Sequence, residues 1–170
     1  YKDLCSGALA PVLDTLTYLK HETDVWFEIT TLLIPGENDS EAEIEELTGW
    51  EMDNLGPDVP LHFSAFHPDW KMTDKANTPL ETVVRARQIA LKNGIRYAYT
   101  GNVHDPEGDT TNCHDCGAVL IGRDWYELNT WAVATGGNYT GNCAACGTVL
   151  PGVFDGPPGD WGRKRTPVRL

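Results

Sequence analysis

The chain has no long hydrophobic run. Its apolar stretches, such as Leu32-Leu33-Ile34, fall far short of the roughly 20 residues that carry a helix across a bilayer. Positive charge is also missing over a long stretch: no Lys or Arg occurs from His21 to Trp70, and the net charge is −12. That balance argues against a general nucleic-acid surface, because neutralising phosphates takes clustered basic side chains. We therefore expect neither a membrane nor a nucleic acid as partner, and read the acidic stretch as a solvated helix face. The basic residues that do cluster, Arg163-Lys164-Arg165 and Arg169, follow Gly156-Pro157-Pro158-Gly159 and read as a basic tail over residues 156–170. The chain starts at Tyr1 rather than Met, without a signal-peptide pattern, so we expect a fragment or processed product with sequence upstream.

Cysteine is scarce except at two points. Of five, four form the doublets Cys113-His114-Asp115-Cys116-Gly117 and Cys143-Ala144-Ala145-Cys146-Gly147, with 26 residues between them. Two such knuckles are the ligand set of a tetrahedral four-thiolate metal site. The glycine after each second thiol supplies the permissive backbone that lets amides fold back toward bound sulfur. Two disulfides, or four buried free thiols, are the competing readings. Thiolates that hold metal fit a reducing compartment, which points to a cytoplasmic protein. Cys5 is left over and reads as a small apolar residue.

Hydrophobic patterning outlines an α/β unit over residues 1–109. Ala8 to Lys20 predicts a helix with Pro11 in its first turn and Val12, Leu13, Leu16 and Leu19 on one side. Asp24 to Ile34, rich in aromatic and β-branched residues, predicts a strand that ends at the Pro35-Gly36 turn. Ser40 and Glu43 form a capping box for a helix running to about Asn54, with Ile44, Leu47 and Trp50 as its apolar positions. Leu61 to Phe66 is a second strand. Thr78-Pro79-Leu80-Glu81 starts another helix, with Thr78 as cap and Leu80, Val83, Val84 and Leu91 as apolar face, ended by Gly94. Arg96 to Thr100 is a third strand. Helices alternating with strands imply parallel strands joined by crossovers.

In parallel α/β folds the functional groups gather beyond the carboxyl ends of the strands. Those ends carry Pro35-Gly36-Glu37-Asn38-Asp39, His67-Pro68-Asp69 and Gly101-Asn102-Val103-His104-Asp105. The knuckle module spans residues 110–155. Ile121, Trp125, Tyr126, Trp131 and Val133 lie between its halves, enough for short strands but little core. A bound metal is therefore expected to supply much of its folding free energy, on the order of 10 kcal/mol.

The phrases Ile29 to Asp39, His62 to Asp69 and Tyr99 to His104 together resemble the radical SAM enzymes of the AmmeMemoRadiSam system, relatives of the pyruvate formate-lyase activating enzymes. The resemblance extends through the knuckles to Phe154-Asp155-Gly156-Pro157-Pro158-Gly159. It implies part of a parallel (β/α) barrel, a partial TIM barrel, followed by a four-cysteine zinc ribbon. It also implies an enzyme that binds S-adenosylmethionine and a [4Fe–4S] cluster and generates a 5′-deoxyadenosyl radical. On that resemblance His67, Thr30 and Thr31 are the candidate cofactor contacts, while Cys113, Cys116, Cys143 and Cys146 hold zinc. Possible partners are a substrate, which could be a protein, and Memo-type and AMMECR-type proteins.

One departure bears on activity. The family holds its cluster with a CxxxCxxC loop, and this chain has none. The resemblance thus implies a C-terminal half, with the loop upstream of Tyr1, that is inactive alone. Two other functions compete: a non-catalytic zinc-ribbon module that recruits a protein, and a rubredoxin-like iron site that carries electrons. The charged segment His104, Asp105, Glu107 and Asp109 reads as solvation of the barrel–ribbon junction in preference to a substrate contact.

Overall fold

The computed structural model describes residues 1–155. The basic tail assigned to residues 156–170 lies outside the described residues. A one-turn helix α1 (Lys2–Cys5) precedes α2 (Leu9–Glu22), and then three strands alternate with two helices: β1 (Ile29–Leu33), α3 (Glu41–Asn54), β2 (Leu61–Ala65), α4 (Leu80–Lys92) and β3 (Ala98–Gly101). The strands form one parallel sheet in the order β1-β2-β3, with Ile29 opposite Leu61 and Leu61 opposite Ala98. This is the α/β alternation expected from the sequence.

Successive strand residues point to opposite faces, and the two faces of this sheet differ. Leu33, Leu61, Phe63, Ala65 and Ala98 point to the side where α3 and α4 pack, and there they form the core with Ile44, Val83, Ala86, Ala90 and Ile95. The opposite face carries Thr30, Leu32, His62, Ser64 and Tyr99, all exposed or half-buried. No described helix covers it.

The element ends differ from the sequence expectation for identifiable reasons. The first strand starts at Ile29, not Asp24, because its partner begins at Leu61: the Ile29 amide takes the carbonyl of Pro60, and nothing upstream offers a ladder to residues 24–28. Thr78 does not cap α4. Its hydroxyl donates to the Leu33 carbonyl (2.6 Å) and accepts from the Phe66 amide (3.0 Å), so it ties the ends of β1 and β2 together, and the N-cap is Pro79. The buried face of α4 is Thr82, Val83, Ala86, Arg87 and Ala90, whereas Leu80 and Leu91 are about 40% exposed. Small alanines let the helix approach the sheet. Arg87 is buried because its Nε donates to the Ala98 carbonyl (3.0 Å) and its Nη1 pairs with Glu107 (3.2 Å). Cys5 is exposed rather than packed.

Two local predictions hold. The Ser40 hydroxyl accepts from the Glu43 amide and so caps α3, while the Glu43 carboxylate reaches back to that hydroxyl (2.6 Å) rather than to the Ser40 amide. Gly94 follows α4 in the left-handed region (φ 105°), which glycine adopts without a Cβ penalty.

The described residues after β3 form two small antiparallel sheets: β4 (Thr111–Asn112), β5 (Val119–Asp124) and β6 (Glu127–Trp131), then β7 (Val133–Thr135), β8 (Gly141–Cys143) and β9 (Val149–Leu150). Their shared core is Cys113, Leu120, Ile121, Val133, Cys143 and Leu150, with Trp131 and Phe154 against it. Among the described residues no helix is long and apolar enough to cross a membrane.

One buried group is out of place energetically. Glu51, on α3, is 1% exposed, and neither carboxylate oxygen has a hydrogen-bond partner. Burial pushes its carboxyl up to about 8. With the folded value raised, its contribution to stability is full below the ordinary carboxylate range and is lost as pH rises through about 8. Glu51→Leu is therefore expected to flatten the fall in stability between pH 5 and pH 9. At pH 9 the variant gains roughly 1–3 kcal/mol over the parent. Urea denaturation at the two pH values measures this, and an unchanged pH slope would contradict it.

Candidate metal centre

Each knuckle is a turn between two short strands, Cys113 to Gly117 between β4 and β5 and Cys143 to Gly147 between β8 and β9. The two are built alike. Gly117 N–H donates to the Cys113 carbonyl (2.9 Å) and Gly147 N–H to the Cys143 carbonyl (2.8 Å), and both glycines lie at positive φ (73° and 80°). Cys113 N–H donates to the Ala118 carbonyl (2.8 Å), and Cys143 N–H to that of Thr148 (2.9 Å). The expected glycine role is thus met at both positions.

The four sulfurs converge. Cys113 Sγ lies 3.7 Å from Cys146 Sγ, Cys116 Sγ lies 3.7 Å from Cys143 Sγ, and all four ligand atoms fall within 4.8 Å of one another. A disulfide needs its sulfurs about 2.05 Å apart, so the disulfide reading fails. Four thiolates around one tetrahedral ion with metal–sulfur bonds near 2.3 Å sit about 3.8 Å apart, and the cluster fits that spacing. Cys113 and Cys143 are buried, whereas Cys116 and Cys146 face outward, so the alternative of four buried free thiols fails as well.

The surroundings shift the two outer thiols in opposite directions. The hydroxyl and amide of Thr148 lower the Cys146 thiol to about 7. The Ala118 amide favours the Cys116 thiolate, but contacts with Cys146 and burial outweigh it and push that thiol up to about 12. Thr148 also donates to Asp115 (2.8 Å), so its hydroxyl bridges the knuckles from outside the sulfur cluster. His114, the second residue of the first knuckle, meets the Tyr97 hydroxyl at Nδ1 (2.7 Å) and fixes the ribbon to the sheet at the start of β3.

The other candidate residues are spread out. His67 is exposed just past the end of β2, and its ring makes no hydrogen bond to the described residues. Thr30 and Thr31 lie near the start of β1 rather than at its end, and they point apart, Thr30 to the uncovered face and Thr31 to the face under the helices. Asp105 accepts from the Thr100 hydroxyl (2.9 Å) and Glu107 pairs with Arg87. Gly108 is packed so that a Cβ there would overlap Thr100 Oγ1 and the Asp105 carboxylate. These contacts tie the loop to β3 and α4. Pro35 to Asp39 is a turn closed by Asn38, which accepts from the Ile34 amide (2.8 Å), and by Asp39, which accepts from Gly36 (2.8 Å).

Sequence reasoning overlooked a second cluster on the uncovered face. His62 Nε2 meets Glu28 Oε2 at 2.7 Å, and the His62 ring stacks on Tyr99 (centroids 4.9 Å apart). The Tyr99 hydroxyl meets Thr111 (2.9 Å), which also accepts from Arg123 (2.8 Å). The hydrogen bond with His62 holds the Glu28 carboxyl below its usual range, while burial pushes Tyr99 up. Alternation in β2 was the available signal: Leu61, Phe63 and Ala65 point one way, which sends His62 and Ser64 the other.

A metal held by the four cysteines has a direct consequence. The purified chain is expected to be colourless and to carry one equivalent of zinc, whereas red iron–thiolate absorption would establish iron instead. Cys113→Ser, or a chelator, is expected to unfold the segment after Thr110, because so small a core relies on metal for on the order of 10 kcal/mol. Hydrogen exchange over β4–β9 reads this out, and unchanged protection would refute a structural metal.

The uncharacterized protein MJ0808 of Methanocaldococcus jannaschii is 44% identical to this chain over 123 residues. The match covers 72% of this chain but 37% of that protein, so the chain spans little more than a third of the curated relative it matches. No family model matches the chain. No solved structure matches it.

Proposed function

We propose that this chain is the C-terminal part of a radical SAM enzyme whose zinc ribbon is structural. The observation that carries the reading is the one-sided sheet. Purely parallel strands are almost always covered on both faces, yet here described helices cover the α3–α4 side alone. The free face bears polar groups, Thr30, His62 and Ser64, between strands whose carboxyl ends open onto turn segments. A segment of barrel wall has this character, with helices outside and functional groups inside. The partial match to a much longer relative is consistent with such a segment.

On this reading Thr30, on the inner face, and His67, at the end of β2, are the positions for S-adenosylmethionine. Thr31 faces the helices and is dropped. The residues present do not fit an iron–sulfur cluster: the knuckle thiols are committed to one another, and Cys5 is a single exposed thiol. The cluster ligands belong to sequence upstream in the longer parent, and the isolated chain is inactive. The substrate remains that of the parent, with a protein substrate and Memo-type or AMMECR-type partners as the classes the resemblance suggests.

The test is made on the intact reading frame. A CxxxCxxC upstream of Tyr1 is expected, and the reduced, cluster-loaded parent is expected to release 5′-deoxyadenosine from S-adenosylmethionine. His67→Ala in that parent should weaken S-adenosylmethionine binding roughly ten-fold, the loss of about one charge-assisted contact. Absence of the upstream motif ends the proposal.

A further inference from the structure

The sheet and the ribbon enclose a cleft of about 260 Å3 that neither the cysteine cluster nor the strand-end loops account for. Trp26, Tyr99, Trp131 and Phe154 give it aromatic walls, and Glu28 and Arg123 are the two ionisable side chains of opposite sign in its lining. Its size lies just under the common range of ligand sites, which begins at about 300 Å3. Mostly apolar walls with a few placed polar groups are the usual make-up of such a site.

The two charges share the cleft without pairing. Glu28 gives one oxygen to His62, and the other has only a 3.5 Å contact with the Trp26 indole N–H. Arg123 spends a single nitrogen, Nη1, on both the Asp109 carbonyl (2.9 Å) and the Thr111 hydroxyl (2.8 Å). Those bonds hold the guanidinium 5.8 Å from the Tyr99 ring centre. Among the described residues its Nε and Nη2 find no acceptor, and no ion pair joins Arg123 to Glu28. A carboxylate oxygen and a planar donor fork are therefore both left for something else. A free guanidinium fork suits a carboxylate, and a carboxylate beside aromatic rings suits an ammonium.

We propose that this cleft binds a small zwitterion of the free amino-acid class. Its ammonium meets Glu28, its carboxylate meets Arg123, and its side chain lies against Trp26 and Trp131. The site is independent of the radical SAM reading, since none of its groups depends on a cluster or on S-adenosylmethionine.

Isothermal titration of the metal-loaded chain with L-phenylalanine, phenethylamine and 3-phenylpropionate tests it, because the last two each lack one charge of the first. L-phenylalanine is expected to bind, and each half-probe to bind at least roughly ten-fold more weakly, the worth of one charge-assisted hydrogen bond. Glu28→Gln preserves the shape of the side chain and its contact with His62. It is expected to weaken L-phenylalanine roughly ten-fold while leaving 3-phenylpropionate and the thermal midpoint unchanged. No heat with L-phenylalanine would overturn the proposal. Equal binding of L-phenylalanine and 3-phenylpropionate would also overturn it, as would a Glu28→Gln variant that binds L-phenylalanine like the parent.

Discussion

The contact on which the α/β half rests is that of α4 with the middle strand. Phe63 and Leu61 are fully buried, and the helix reaches them because Ala86 and Ala90 present almost no side chain. Close approach brings many weak dispersion contacts within range together. It also places Arg87 where its Nε can reach the Ala98 carbonyl and its Nη1 can reach Glu107. One helix face thus fixes the sheet and anchors the loop that leads into the ribbon.

The ribbon solves a different problem. Six short strands bury few side chains, and two of the six core residues, Cys113 and Cys143, belong to the four-cysteine cluster. An ion held by the four cysteines would therefore couple hydrophobic burial to coordination there. The ribbon is joined to the sheet by polar contacts, His114 to Tyr97 and Thr111 to Tyr99, which set its position without a large apolar interface.

Much of this was legible in the sequence where the signal was local. The serine cap at Ser40, the glycine stop at Gly94 and the twin knuckles each concern residues a few positions apart, and each is found. Errors arose where a partner distant in sequence decided the outcome. Thr78 has the look of a helix cap, yet the carbonyl of Leu33, 45 positions earlier, takes its hydroxyl. Leu80 and Leu91 are more apolar than Ala86 and Ala90, but closeness to the sheet favoured the small residues. The Glu28–His62–Tyr99 cluster was missed because each member sits in a strand-like segment that reads as simply buried. Its meaning depends on knowing which face is open.

The Thr78 clamp also bears on how such a chain can change over time. Phe66 and Thr78 exchange two hydrogen bonds at the neck of the segment between them, and two more, from the Thr78 hydroxyl and the Phe66 amide to the Leu33 carbonyl, hold that neck to β1. A loop closed at its neck transmits little of its own variation to the elements that carry it, and lengthening a surface loop costs little closure entropy. The stretch holding Trp70 and Met72 can therefore vary in sequence and length while the sheet stays intact. Change at this end of the strands needs no new fold.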